Sequence, residues 1–366
     1  MKLRTGGIAS LAALMLTITA CSGGTSTSVV TSEAEVNTDD GLVINGQQIL
    51  DQKAYEAAKD QTLTIYTGYQ EANQEVLNHA FTEDTGIKVE YVRDVTNKLS
   101  ERILSEDGAG QLGADVIITS DYKVANEFDE AGVWEPFVPT AIEGMPELQH
   151  NAGAFVTLAN VPVTFAYNTQ SITPEEAPQA WADLLDEEYK GRIGITQGTA
   201  GGSSIALNRF IQEEVDPEFW TKLAELNPSV YDSGGQRQEA LARNELDVAT
   251  AGTAAVNVAV TEDGAPIDYV VPEEGVVLFS FFAGKVENAE NSEAAEAFLN
   301  YALSERGQSV ITQVGDYSAR SDIAPPQALG RDLPALDSDK VWLMPAEDEL
   351  KYASEDAQVW REAFGR

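Results

Sequence analysis

The sequence predicts an α/β fold, because short apolar strands alternate with amphipathic helices along most of the chain. The clearest unit is a strand over 63–67, in which apolar and polar residues alternate, followed by a turn at Gly68 and a helix over 73–85. A second observation is the nearly continuous apolar run 115–119, which is typical of a strand buried on both faces. Because the connections are short, we expect the strands to form a parallel sheet.

The remaining elements follow in the same alternation. Further strands are predicted at 87–92, 156–158, 161–167, 192–196, 246–250, 267–271 and 276–282. Further helices are predicted at 98–106, 122–131, 181–185, 205–214, 218–226, 236–243, 252–259, 292–303, 306–314 and 348–364. No internal repeat is visible in this order.

The order of elements indicates two α/β lobes joined by two crossing strands. We expect lobe I to comprise 61–163 plus 271–366, and lobe II to comprise 164–270. Two crossing strands form a hinge, and a cleft between hinged lobes lets a protein close around a ligand.

The amino terminus is predicted to be a targeting segment over residues 1–20. Basic residues precede a mostly apolar stretch that is too short to span a bilayer as a mature helix. The segment ends in small residues followed by Cys21, the only cysteine in the chain. This pattern resembles the bacterial lipobox, which implies cleavage and lipidation of Cys21. A plain secretory signal with an incidental cysteine is the alternative.

The composition indicates the character of residues 21–60 and of the protein surface. Residues 21–60 are rich in Ser, Thr and Gly and then acidic, so we expect a flexible tether that holds the protein at the outer face of the cytoplasmic membrane or in the periplasm. The chain contains 60 Asp and Glu against 23 Lys and Arg, a formal charge of −37. Such acidity argues against nucleic acid and against docking on anionic lipid, and it favours a role in solubility.

The sequence contains few residues or motifs that are typical of catalytic sites. The chain has two histidines, His79 inside a predicted helix and His150 in a polar loop, and no HExxH, Walker A or CxxC motif. We therefore expect a protein that is not an enzyme and that carries no cofactor. A cell-surface hydrolase is the rival class and would need a perturbed carboxylate pair or a bound metal. A structural lipoprotein is disfavoured by the βα pattern.

Three segments resemble bacterial extracellular solute-binding proteins of ABC importers, and most closely their ferric-iron-binding branch. They are Trp-Ala-Asp-Leu-Leu at 181–185 with Tyr-Lys-Gly-Arg-Ile-Gly at 189–194, the helix pair 298–308, and the stretch 81–89. The resemblance extends over about residues 61–330. It implies a two-lobed periplasmic-binding-protein-like (type II) fold with a central cleft, in a monomer that delivers a solute to an ABC permease and its ATPase subunits.

The metal ligands of that branch are replaced here. Their positions fall on Gln70 or Glu71, on Ser120, and on Ala254 and Ala255. Ferric iron needs anionic oxygen or imidazole ligands, and alanine offers neither, so no metal site is predicted. Ferric iron stays an alternative cargo only if other tyrosines bind it: Tyr66, Tyr69, Tyr122, Tyr231 or Tyr317.

The family's anion cradle is matched. The family places it before the helix that starts near residue 203, and Thr199-Ala200-Gly201 match it, while 233–235 and 252–253 match two further cleft turns. Free backbone N–H groups and the helix dipole favour anions at such turns. We therefore expect a small anionic cargo, such as a phosphate ester or a phosphonate. An ammonium on that cargo would face Glu71 or Asp121.

The predicted solute-binding residues combine these turns with nearby hydroxyl groups and one arginine. They are Thr67, Gly68, Tyr69, Gln70, Ser120, Thr199, Ala200, Gly201, Gly202, Ser203, Gly234, Gly235, Gly252, Thr253 and Arg320.

Overall fold

The computed structural model describes residues 33–198 and 201–365, in which a mixed thirteen-stranded sheet is flanked by helices and accompanied by two small sheets. The strands are β1 Val36–Asn37, β2 Leu42–Ile44, β3 Gln47–Leu50, β4 Thr62–Thr67, β5 Lys88–Arg93, β6 Val116–Thr119, β7 Trp134–Glu135, β8 Gln149–His150, β9 Phe155–Asn168, β10 Ile193–Thr196, β11 Ser229–Tyr231, β12 Val248–Gly252, β13 Ile267–Val270, β14 Val276–Val286, β15 Tyr317–Ser318, β16 Gln327–Ala328, β17 Arg331–Asp332 and β18 Val341–Leu343.

The α-helices alternate with these strands. They are α1 Gln52–Ala58, α2 Glu71–Thr85, α3 Thr96–Gly108, α4 Tyr122–Ala131, α5 Gly202–Phe210, α6 Phe219–Glu225, α7 Gly234–Ala242, α8 Thr253–Thr261, α9 Ser292–Ala302, α10 Glu305–Gln313 and α11 Ala346–Phe364. Within the described residues, no helix combines the length and the apolar character that crossing a bilayer requires.

The large sheet consists of two parallel groups joined by an antiparallel pair. Strands β5, β4 and β6 form one group, and β11, β10 and β12 form the other. Between them, β9 and β14 pair antiparallel with each other and with the neighbouring groups. The predicted α/β class is therefore confirmed. The expectation of a wholly parallel sheet is wrong, because the joining strands run against both groups.

Strand β9 is longer than predicted. Two runs were expected, at 156–158 and 161–167, but the structure has one strand in which every residue is buried. It pairs with β14 up to Val163 and with β12 from Val163 onward. Pro162, which suggested a break, lies one residue beyond the last pair with β12, where it removes no donor from that ladder.

The predicted tether is wrong for residues 36–58, which form strands β1 to β3 and helix α1. Leu42, Ile44 and Ile49 are buried in the main core, and α1 packs against α9. Strands β2 and β3 are joined by Asn45 and Gly46, both with positive φ, which is a common geometry of two-residue hairpin turns. The predicted signal peptide, Cys21 and the start of the tether lie outside the described residues.

A buried carboxyl group holds the turn after β4. Asp316 is fully buried and accepts hydrogen bonds from Tyr69 Oη and from Asn73 Nδ2, the latter at 2.6 Å. Its Oδ1 atom has no partner among the described residues. Burial therefore raises the pKa of Asp316 to about 7.

The folded amino-terminal segment predicts a contrast between two substitutions. Ile44→Ala should lower the free energy of unfolding by about 2–4 kcal/mol, because Ile44 is 1% exposed and truncation leaves a cavity. Val36→Ala, at a side chain 41% exposed, should change it by less than about 0.5 kcal/mol. Urea denaturation measures both. Equal, negligible effects would mean that the segment is a tether after all.

The raised pKa of Asp316 predicts a pH-dependent difference between wild type and Asp316→Asn. The folded protein holds this proton more tightly than the unfolded chain, so wild-type stability from this group falls as pH rises from about 4 to about 7. The melting temperature of Asp316→Asn relative to wild type should therefore increase over that range.

A second carboxyl group supplies the control for this measurement. Arg320 lowers the pKa of Asp322, so the stability that this group contributes is lost only as the pH falls below about 4. Asp322→Asn should therefore differ from wild type by a nearly constant amount from pH 4.5 to 8.5. A constant difference between wild type and Asp316→Asn from pH 4.5 to 8.5 would contradict the assignment.

Candidate ligand-binding site

A cavity of about 480 Å³ lies where the two parallel groups of strands end. The carboxyl ends of β4, β5 and β6 contribute one side, and those of β10 and β12 contribute the other. Helices start directly after several of these strands, so backbone N–H groups converge on the cavity. The topology therefore places a pocket where ligands bind in open α/β sheets.

Most of the predicted site residues line this cavity. They are Gly68, Gln70, Ser120, Gly201, Gly202, Ser203, Gly234, Gly235 and Gly252. Thr199 and Ala200 lie outside the described residues. Each of the three turns predicted in the second half therefore contributes described residues to the same cavity. They are Gly201, the pair Gly234 and Gly235, and Gly252.

Four predicted residues do not line the cavity. Thr67 and Tyr69 point into the core, where Thr67 bonds Gln74 Oε1 at 2.8 Å and Tyr69 bonds Asp316. Thr253 is fully buried at the start of α8. Arg320 pairs with Asp322 and donates to a backbone carbonyl at Leu303, so its charge is used elsewhere. These four belong to the scaffold.

The helix starts in the second half leave donors available. Neither α5 nor α8 has a side-chain hydrogen bond at its N-cap, whereas Ser233 caps α7 by accepting from Gln236 N. Gly252 has no side chain to block the approach to the backbone, whereas Gly202 lies directly against the carbonyl oxygen of Ser120. The amide of Ser204 already donates to Gly201 O, but those of Gly202 and Ser203 have no acceptor among the described residues. These two amides and the first turn of α8 can therefore donate to a bound oxyanion.

Arg237 of α7 is the main residue that the sequence interpretation missed. It lines the cavity, is 9% exposed, and donates from Nη1 to Thr196 Oγ1. Among the described residues it has no carboxylate partner, and its Nε has no acceptor. Burial lowers the pKa of Arg237 to about 10, which leaves it charged at neutral pH. An arginine near a helix amino terminus, where the dipole disfavours cations, was an available signal.

Further charged groups from both halves complete the site. Arg93 ends β5, lines the cavity, and donates from Nε to the backbone oxygen of Tyr69 at 3.4 Å. Glu71 and Asp232 also line it and are exposed. Asp121 does not line it, because it caps α4 through Val124 N and lies against Glu349. The cavity thus combines two guanidinium groups with two carboxylates at its edge.

Aromatic side chains also line the cavity. They are Phe279 and Phe281 of β14, Trp220 of α6 and Trp360 of α11. The indole rings of Trp220 and Trp360 meet edge to face with centroids 5.2 Å apart. Helix α11 packs against α4 as well as against α5 and α6, so it contacts both sides of the cavity.

The donor set of the cavity differs from that of a metal site. Within residues 33–198 and 201–365, no three His, Cys, Asp or Glu side chains cluster around a possible ion. No Tyr or His is among the described lining residues. His79 lies on an exposed face beside Glu83, while His150 bonds Thr157 and burial lowers its pKa to about 4.

Comparison with known proteins gives this geometry a context. Residues 113–341 match the family model described as bacterial extracellular solute-binding protein. A putative 2-aminoethylphosphonate-binding periplasmic protein of Salmonella paratyphi A is 26% identical over 67% of this chain and 74% of its own length. Iron uptake protein A1 of Synechocystis is 26% identical over 70% of this chain and 74% of its own length.

A solved structure shows the same fold. The periplasmic binding protein AfuA of Actinobacillus pleuropneumoniae, with fructose 6-phosphate bound, superposes with a TM-score of 0.67 and 22% identity, covering 84% of this chain and 99% of that one. The two-lobed type II fold is thereby confirmed. The chain belongs to the bacterial extracellular solute-binding proteins, in the branch that includes the ferric-iron-binding proteins.

Proposed function

We propose that this protein is the solute-binding component of an ABC importer and that its cargo is a small oxyanion, such as a phosphate ester or a phosphonate. Members of its family bind small solutes outside the cytoplasm and act with permease and ATPase subunits. Capture occurs by closure of lobe I (61–163 plus 271–366) onto lobe II (164–270). Strand β9 exchanges β14 for β12 as its pairing partner at Val163, which supports the first boundary. Strand β13 ends at Val270 and β14 begins at Val276, which supports the second.

The buried guanidinium of Arg237 carries this proposal. An isolated buried charge costs several kcal/mol unless an opposite charge accompanies it. The described residues supply no such charge, although the chain as a whole is strongly acidic. An oxyanion in the cavity would accept from the guanidinium and from the first-turn amides of α5 and α8 at once.

The relatives define the class of function rather than the cargo. One is named for 2-aminoethylphosphonate and another for iron uptake. In this cavity, Arg93 and Arg237 would repel a ferric ion, and the described lining contributes only two carboxylates to neutralise it. The same charges favour an anion. Glu71 and Asp232 would favour an ammonium on the part of the cargo away from Arg237.

The location of the protein is part of this proposal. Lipidation of Cys21 after removal of residues 1–20 would anchor a monomer at the outer face of the membrane. Only residues before the folded segment that starts near 36 would then act as the tether.

Thermal unfolding of the chain without residues 1–21 tests the cargo class. The panel is inorganic phosphate, ethylphosphonate, 2-aminoethylphosphonate, fructose 6-phosphate, spermidine and ferric citrate. A ligand at 100 times its Kd adds about 2.7 kcal/mol to stability by mass action. We expect a phosphonate or a phosphate ester to raise the melting temperature. A rise with ferric citrate alone, with a reddish tyrosinate colour, would reverse the assignment.

Removing the Arg237 charge should separate binding from stability. Arg237→Met should weaken the binding of the active anion by about 10- to 100-fold, through loss of charge-assisted hydrogen bonds. It should not lower the melting temperature of the ligand-free protein, because the substitution removes a buried charge whose desolvation is unfavourable. Isothermal titration calorimetry and thermal unfolding measure the two quantities.

Arg243, which follows the carboxyl end of α7, provides the matched control. Arg243 is exposed and pairs with Glu239 and Glu245, so Arg243→Met should leave affinity unchanged. Equal affinity in wild type and Arg237→Met would remove the observation on which the proposed function rests.

A further inference from the structure

The carboxy-terminal helix α11 lies beyond the family-matched residues 113–341, yet it packs against the elements that form the cavity. Its last turns contact α5 and α6, and its first turn contacts α4. Helix α5 begins at Gly202 in the anion cradle, and α4 begins just after Ser120 on the other side. The helix is therefore placed where it can fix the geometry of the binding site.

Trp360 packs against the backbone of Gly198. Its side chain is 1% exposed, and a Cβ atom added to Gly198 would lie 2.4 Å from the indole Cε3. Such a contact is not tolerated, so the indole defines how close the backbone at Gly198 can come. Gly198 lines the cavity. Its φ angle is not in the left-handed region, and among the described residues the three atoms nearest to such a Cβ all belong to the indole.

A second set of contacts ties α11 to α5 itself. Asp356 accepts from Arg209 Nη1 at 3.1 Å and from Gln212 Nε2 at 2.9 Å. Asn208 Nδ2 donates to the backbone oxygen of Asp356 at 3.0 Å. These bonds hold the carboxyl end of α5, whose amino end presents the amides of the cradle. Movement of α11 would therefore move α5.

The same helix reaches the facing wall. Glu349 accepts from the backbone N–H of Lys123 at 3.3 Å, in the first turn of α4. A Cβ atom on Gly202 would lie 2.0 Å from the carbonyl oxygen of Ser120, so the two walls are already in contact at this point. Helix α11 thus spans the junction between them.

We propose that Trp360 is a positioning residue for anion binding: its indole sets the backbone at Gly198 and, with Asp356, the start of α5 in the geometry that receives the anionic group of the cargo. This inference rests on the proposed function. Trp360 also lines the cavity, but the proposed role acts through Gly198 and α5, and Gly198→Ala tests it with the indole still in place.

Two substitutions disturb this contact from opposite sides. Trp360→Ala removes the indole, and Gly198→Ala pushes against it. Each should weaken the binding of ethylphosphonate or fructose 6-phosphate at least tenfold, as measured by calorimetry on folded protein. In the double variant the added methyl group fits into the vacated space, so the loss should be smaller than the product of the two single losses.

Phe364 supplies a matched control on the same helix. It packs on Trp360 with ring centroids 4.4 Å apart, but it does not line the cavity. Phe364→Ala should lower the melting temperature, as Trp360→Ala does, while affinity stays within about twofold of wild type. A general loss of stability would instead weaken binding equally in both variants and would overturn the proposal.

Hydrogen exchange tests the positioning role without a ligand. It uses Trp360→Phe, so the test remains possible if Trp360→Ala folds poorly. Amides of residues 202–205 should exchange faster in Trp360→Phe and Gly198→Ala than in Phe364→Ala. Unchanged exchange, with wild-type affinity in Gly198→Ala, would overturn the positioning role alone. Failure of the wild type to bind either anion would overturn the proposed function and this inference with it.

Discussion

Strand β9 must stay hydrogen-bonded on both edges while it passes from one parallel group of strands to the other. All fourteen of its residues are buried, so any unpaired polar group would cost about 1–3 kcal/mol. Its Thr and Asn side chains each have a partner: Thr157 bonds His150, Asn160 bonds Ser318 O, Thr164 bonds Val270 O, and Asn168 bonds Leu241 O. These bonds fix the register of β9 against the elements on either side.

The cavity follows from that register. With β9 and β14 holding the two parallel groups together, the carboxyl ends of β4 and β6 face those of β10 and β12. Each group then brings the start of a helix to the same space, and no single turn has to supply the whole site. The anion cradle is a product of the topology, and the small residues at its turns allow the close approach that the topology makes available.

Patterns among neighbouring residues predicted much of this arrangement. Features that depend on contacts between distant parts of the chain were not predicted. The order of strands and helices and the glycine-rich turns are encoded in neighbouring residues, as is the Asn45–Gly46 hairpin, whose signal was overlooked beside the acidic composition around it. Thr67 and Tyr69 neighbour cavity residues in sequence, but they face the core. The position of Arg237 near the start of α7 was a local signal, but its bond to Thr196 and the packing of Trp360 on Gly198 join elements that are far apart in the chain.

The electrostatics of the cavity contrast with those of the rest of the molecule. Most arginines in the described part of the chain pair with carboxylates, as Arg192 does with Asp247 and Arg306 with Asp84. Within the described residues Arg237 has no carboxylate partner, although the protein carries 60 acidic residues, so its isolation reflects its position rather than a shortage of partners. At physiological salt the surface carboxylates are screened beyond about 8 Å, whereas a buried guanidinium is screened far less. An anion that reaches the cavity therefore experiences mainly the groups that line it. Arg237, Arg93 and the helix termini attract the anion, Glu71 and Asp232 at the edge repel it, and the acidity of the remaining surface has little effect at close range.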